Sequence, residues 1–174
     1  MYKVTQIAVA YIVFNRPRHV EQTFDALRSA RVSKLYIIAD GPRAEVNSDV
    51  ERCAEVRAIL ERVDWPCLVS RNYADTNLGL KQRVSSGLTW VFEHEDAAIV
   101  LEDDCLPHVD FFNYCETLLM RYAEDKRVAV ISGTNFQTAE YNNSYKAAYY
   151  FSKYNHCWGW ATWKRSWENY QGAI

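Results

Sequence analysis

Nothing in this chain of 174 residues is long and apolar enough to cross a bilayer, which takes about 20 consecutive apolar residues. The first apolar run, Ile7 to Phe14, has no basic stretch before it and no small-residue cleavage site after it, so it does not read as a secretory leader. Cysteine occurs at Cys53, Cys67, Cys105, Cys115 and Cys157, never as C-x-x-C, which excludes the zinc-ribbon and thioredoxin patterns. Reduced, partly buried thiols are expected instead. The histidines, His19, His94, His108 and His156, form neither H-x-H nor H-E-x-x-H, so the sequence encodes no histidine-built metal site. No sign of charge dominates: 20 basic and 22 acidic residues leave a net charge of -2, where a nucleic-acid binder would carry a basic face. Disorder is excluded by a content of 49% hydrophobic and 14% aromatic residues. The expectation is a soluble, cytoplasmic protein of one domain, at most peripheral to the inner face of a membrane.

The common phosphate cradles are missing as well. No G-x-G-x-x-G follows the first apolar run and no G-x-x-x-x-G-K-[ST] occurs, which disfavours dehydrogenases and P-loop NTPases. No G-x-S-x-G elbow marks an α/β-hydrolase. What is present is alternation. Buried-strand patterns at Val4 to Phe14, Leu35 to Ala39, Cys67 to Ser70, Ala97 to Leu101 and Val128 to Ile131 are separated by helical stripes. Those stripes run through Val20, Phe24 and Leu27; Cys53, Val56 and Leu60; Leu80, Val84 and Leu88; and Phe112, Cys115 and Leu119. This order predicts a three-layer α/β/α sandwich on a mostly parallel sheet, with ligands outside the carboxyl ends of the strands. Tyr149 to Phe151 reads as a further strand. Trp160, Trp163 and Trp167 fall at i, i+3 and i+7, the stripe of a core helix.

Candidate chemistry gathers at those strand ends. Glu102-Asp103-Asp104 closes the fourth strand, and clustered carboxylates repel one another unless a cation neutralises them. Hard oxygen ligands suit Mg2+ or Mn2+, which would bridge a diphosphate; the plain alternative is a solvated turn capping the next helix. Asp40-Gly41 ends the second strand, where a carboxylate can accept from a base N–H or a ribose hydroxyl, or form an ordinary turn. As a turn residue, Asp40 is expected to carry little of the packing. Arg16 and Arg83 can each fork onto phosphate.

Taken together, Val13-Phe14-Asn15-Arg16-Pro17, Ile38-Ala39-Asp40-Gly41, Asn77-Leu78-Gly79 and Ile99 to Cys105 resemble the nucleotide-binding half of GT-A glycosyltransferases. The chain is similar to the N-acetylglucosaminyltransferase of N-glycan branching and to bacterial family-2-like sugar transferases. Leu106 to Phe112 matches the stretch after the family's acidic motif, and Asn155 to Trp160 its glycine-tryptophan segment. The resemblance implies that Asp104 ligates a divalent metal, that Asp103 and Glu102 sit against ribose, sugar or metal-bound water, and that Asp40 recognises the base. Asn15 and Arg16 would close the first strand at the donor, Arg83 would reach the diphosphate, and Trp158, off the tryptophan stripe, would stack on a sugar ring.

The expected function is metal-dependent transfer of a sugar from a UDP- or GDP-type donor to a saccharide or other hydroxyl acceptor. A non-catalytic or truncated nucleotide-sugar-binding module and a nucleotidyltransferase are the alternatives. Residues 1–132 would form the nucleotide-binding part of one domain and 133–174 an acceptor-side aromatic segment. Inverting members of the family place a catalytic carboxylate beyond the tryptophan helix, where this sequence offers Glu168 alone, so a chain truncated at its C-terminus is expected, with a homodimer through the exposed aromatic segment.

Overall fold

Every residue of β1 (Ala8–Val13) is buried, because both of its faces are covered. The computed structural model describes residues 5–138, 140 and 146–170. Alternate β1 side chains enter two different cores. Val9, Tyr11 and Val13 pack under α1 (Pro17–Ala30), α2 (Asn47–Leu60) and α4 (Val109–Arg121). Ala8, Ala10 and Ile12 face α3 (Leu80–Phe92). The small side chains on this second face let α3 approach closely, and Gly87 packs directly on Ile38.

β2 (Lys34–Ala39), β3 (Leu68–Tyr73) and β4 (Ala97–Glu102) run parallel to β1. β5 (Val130–Ser132) and β6 (Trp160–Trp163) complete a six-stranded sheet in the order β3-β2-β1-β4-β6-β5, with β6 antiparallel to both neighbours. The chain therefore leaves β1 in one direction along the sheet and returns to its other side at β4. The connections that follow β1 and β4 leave in opposite directions along the sheet, and a crevice lies at this switch point, the usual ligand position in such sheets. Register places Ile12 opposite Glu102 and Val13 opposite Ala39, so the candidate residues of all three strands share one edge. The sandwich on a mostly parallel sheet is as the sequence predicts.

The aromatic tail departs from its sequence pattern. Trp160 to Trp163 is a strand, and short α5 (Lys164–Trp167) begins only after it. Four residues are too few to distinguish helical from strand periodicity, and their aromatic and β-branched content suits the pleated sheet. The tryptophans are accordingly divided. Trp163 is buried in the first core, whereas Trp160 packs on the second and the Trp167 indole donates to the Thr89 hydroxyl on α3. Tyr149 to Phe151 forms no strand; the Tyr149 and Tyr122 hydroxyls meet at 2.6 Å and hold this segment against the end of α4. Val4 and, in the proposed aromatic segment, residues 139, 141–145 and 171–174 lie outside the described residues. Among the described residues no helix is long and apolar enough to cross a membrane, and all five cysteines are free.

Candidate functional site

The end of β2 is built around Asp40, which is 5% exposed. Its Oδ1 accepts from the backbone N–H of Gly41 and of Leu78, each at 2.9 Å, and its Oδ2 accepts from Asn77 Nδ2 at 2.9 Å. Asp40 thus ties the loop from residue 74 to residue 79 onto the end of β2 and fixes the start of α3. This corrects the expectation that Asp40 carries little packing. Gly41 is required for the same closure: a Cβ there would lie 2.5–2.6 Å from the backbone atoms of Thr76. Two motifs that are separate in sequence, Asp40-Gly41 and Asn77-Leu78-Gly79, are one structural unit.

Arg83, one turn into α3, is 4% exposed and lines the same crevice as Asp40. Its Nη2 donates to the backbone carbonyl and to the Oδ1 of Asn72, while its buried Nε has no partner. Burial lowers the Arg83 pKa, with Asp40 opposing the shift.

At the end of β4, Arg16 bridges the acidic residues, with Nη2 at 2.9 Å from Asp103 and Nη1 at 3.0 Å from Asp104. Asp103 is buried, held from below by α1, where the Thr23 hydroxyl donates to the carbonyls of Asp103 and Cys105. Its Oδ2 is buried without a partner. Burial raises the Asp103 carboxyl above its usual range, Arg16 opposes, and Asp104 adds to the rise. Burial also raises Glu102, with Asp104 and Asp103 pushing the same way and Arg16 against them. The Arg16 pairing is thus outweighed by desolvation at Asp103, and the strand end carries uncompensated negative charge. The crevice among Arg16, Asp40, Arg83, Glu102 and Asp103 holds about 250 Å3.

That strain has a consequence for stability. A carboxyl with a raised folded-state pKa binds a proton in the folded chain where the unfolded chain has lost it, so stability falls as pH rises through that window. Glu102→Gln is therefore expected to raise the melting temperature by roughly 2–4 °C at pH 8. The gain should vanish toward pH 4, where the native carboxyl is itself protonated. Thermal melts across this range check it, and a pH-independent gain would rule out carboxylate desolvation and repulsion as its source. Asp49 and Asp125 have the opposite sign, each lowered to about 2 by an arginine, Arg43 and Arg127 respectively, and their stabilisation is lost only as pH falls below about 4.

The remaining sequence candidates are dispersed. Asn15 Nδ2 donates to the fully buried Asp49 at 2.6 Å, on the first turn of α2, and does not line the crevice. Asp49 also binds Arg43, whose Nε lies 2.6 Å away and whose guanidinium sits 5.4 Å over the Phe14 ring. Arg43 does line the crevice and was missed, because nothing local distinguishes it from any exposed arginine. Trp158 is 61% exposed beside Phe136, with ring centroids 5.9 Å apart. It lies two residues before Trp160, the β6 residue paired with Val100. Just before β6, Gly159 adopts φ 68°, and its neighbour Phe111 of the Asp-Phe-Phe stretch packs on it. Glu168 is not at this edge: β6 carries the chain to the amino ends of the parallel strands, where Lys164 N–H donates to the Asp96 carbonyl. A larger cleft of about 940 Å3 lies along the outer side of β5, between α4 and the segment from Ala147 to His156.

No three His, Cys, Asp or Glu side chains among the described residues are arranged to hold a metal ion. A cage of that size is not required in a diphosphate site, where Mg2+ keeps waters and takes one or two carboxylates plus substrate oxygens. Asp104, 41% exposed beside the buried and unpartnered Asp103 oxygen, fits such an ion.

No family model matches the sequence, and no curated protein matches it. Among solved structures, the chain is similar to the mannosyltransferase PcManGT from Pyrobaculum calidifontis, determined with GDP-Man and Mn2+, at 14% identity and a TM-score of 0.62 over 99% of this chain. The chain spans about half of that protein, 51% of its length. It is also similar to 4-diphosphocytidyl-2C-methyl-D-erythritol synthase from Anaerococcus prevotii DSM 20548, at 10% identity and a TM-score of 0.53, covering 96% of this chain and 77% of the other. At these identities the likeness is one of fold, a mostly parallel mixed sheet between helices of the nucleotide-sugar-transferase type.

Proposed function

We propose that the chain carries the donor site of a metal-dependent glycosyltransferase, moving a sugar from a UDP- or GDP-type donor to a saccharide or other hydroxyl acceptor. The observation that carries this reading is the convergence of an acidic strand end, three arginines and Asp40 on one crevice at the switch point of the sheet. Asp104, the exposed member of the triplet, would hold Mn2+ or Mg2+, with Glu102 and Asp103 on the ribose and sugar side. Such an ion neutralises the charge that builds on a departing diphosphate.

The protein's own groups do the rest. Arg83 and Arg16 present guanidinium groups to the phosphates. Asp40 has three of its roughly four acceptor positions filled by the loop, leaving one for the base. Trp158 offers an exposed ring to the sugar. Proton removal from the acceptor does not draw on Glu168, which stands at the other edge of the sheet. The likeness to the synthase keeps nucleotidyl transfer as a second reading, but the segment Asn15-Arg16-Pro17-Arg18 supplies no glycine-rich phosphate loop. Residues 1–132 remain our nucleotide-binding part and the aromatic segment from 133 the acceptor side.

Calorimetry with UDP and GDP tests this reading. Binding is expected with Mn2+ or Mg2+ and not in EDTA, and UDP- or GDP-sugars should outcompete CTP. Equal nucleotide affinity with and without metal would overturn it.

A further inference from the structure

Arg16 spans two carboxylates of unequal accessibility. Its Nη2 is fixed to Asp103, whose side chain is 3% exposed, while its Nη1 rests on Asp104, at 41%. The backbone beneath is anchored, since the Arg16 carbonyl accepts from the N–H groups of His19 and Val20 at 3.1 and 3.0 Å and Pro17 follows it. Only the half-exposed side chain is free to move. One guanidinium against the three carboxylates Glu102, Asp103 and Asp104 leaves two negative charges if all are ionised, and Asp103 Oδ2 remains unpartnered.

We propose that Arg16 is a resident cation of the acidic strand end, occupying Asp104 until a divalent ion displaces it and then turning its guanidinium to the donor's diphosphate. The proposal rests on the reading that this crevice takes a metal and a nucleoside diphosphate together. A divalent ion alone must evict Arg16 from Asp104 and leave its Nη1 without a partner, only the Asp103 contact remaining. With nucleotide present, the evicted guanidinium gains phosphate oxygens on the crevice it already lines. Ion and nucleotide then tighten each other's binding by the same factor, as linkage requires. Arg16 is in this sense a positioning residue whose first effect is on metal affinity.

The test is Mn2+ binding, followed by the paramagnetic signal of the free ion, to the wild-type chain, Arg16→Gln and Arg16→Lys, with and without UDP or GDP. Arg16→Gln should bind Mn2+ alone on the order of tenfold more tightly than wild type, the scale of a lost charge-assisted contact. The factor by which nucleotide tightens Mn2+ should fall below the wild-type factor, leaving only the direct contact between ion and diphosphate. Arg16→Lys, a point charge without the fork, should lie between. Because Arg16→Gln leaves Asp103 buried and unpaired, melts run alongside provide a second readout: Mn2+ should raise the melting temperature of Arg16→Gln more than that of wild type. If Arg16→Gln binds Mn2+ no more tightly and gains no more stability from it, the resident-cation role is overturned, while metal-dependent nucleotide binding by wild type leaves the transferase reading standing. If wild type binds nucleotide equally well in EDTA, that reading falls instead, and the role of Arg16 with it.

Discussion

Asp40→Ala is expected to lower the melting temperature by about 6–12 °C. The substitution removes the acceptor of the buried Gly41 N–H and of the half-buried Leu78 N–H, and leaves the Asn77 amide with only its bond to the Gly41 carbonyl. An unsatisfied buried donor costs about 1–3 kcal/mol, and adaptation of the loop should hold the total near 3 kcal/mol. For a domain of this size each kcal/mol shifts the midpoint by about 2–4 °C. Asp40→Asn separates scaffold from charge. Its carbonyl oxygen can keep the two backbone donors, and a turned Asn77 amide can accept from its new NH2 while giving up its bond to the Gly41 carbonyl, so part of the stability should return. A melt of Asp40→Ala within 2 °C of wild type would show that the loop over Gly41 is held by something else.

The second large effect is expected at Asp104, and it is of the opposite kind. Asp104→Asn should leave the melting temperature close to that of wild type, because the side chain is 41% exposed and its Arg16 pair belongs to a class worth about 0.2–1 kcal/mol. Nucleotide affinity in Mn2+, however, should fall by about 100-fold, toward the wild-type value in EDTA. Outer-shell changes at metal sites already cost 10–100-fold, and loss of a ligand should reach at least the upper end of that range. Calorimetry in Mn2+ decides the matter; an unchanged affinity would move the ion away from Asp104. On these expectations one carboxylate organises the fold and the other the ion, although both close a strand at the same edge.

Much of this arrangement is legible in the sequence, for identifiable reasons. Buried parallel strands are near-continuous apolar runs, so Ala8–Val13, Lys34–Ala39 and Ala97–Glu102 stand out, and polar residues just after them fall on one edge by topology alone. Partner choice is not legible. Nothing local to Asp49 says that it will be fully buried between Asn15 and Arg43, and nothing in Asn77 says that it will reach Asp40 across 37 residues. The placement of Glu168 fails for a different reason. Nearness along the chain to Trp158 suggests nearness in space, but β6 runs against its neighbours, and a few residues suffice to traverse the sheet from one edge to the other. The register of one short strand decides which face of the molecule its continuation serves.

The reversed strand also sets the order in which the molecule can assemble. β1, β2 and β3 are joined by successive helices and can associate as the chain grows, but Ala97 on β4 must wait for Trp163, 66 residues later. β5 is made first yet pairs, among the described strands, only with β6, so it cannot join the sheet until its later neighbour has arrived. Until then the outer edge of β4 presents unpaired N–H and C=O groups beside the apolar surface of Ile99 and Leu101, a template for pairing with another chain. Non-local closures of this kind are slow because loop entropy is lost before contacts form. Docking of Trp160 to Trp163 is thus expected as a late step of folding, with intermolecular pairing competing until it is complete.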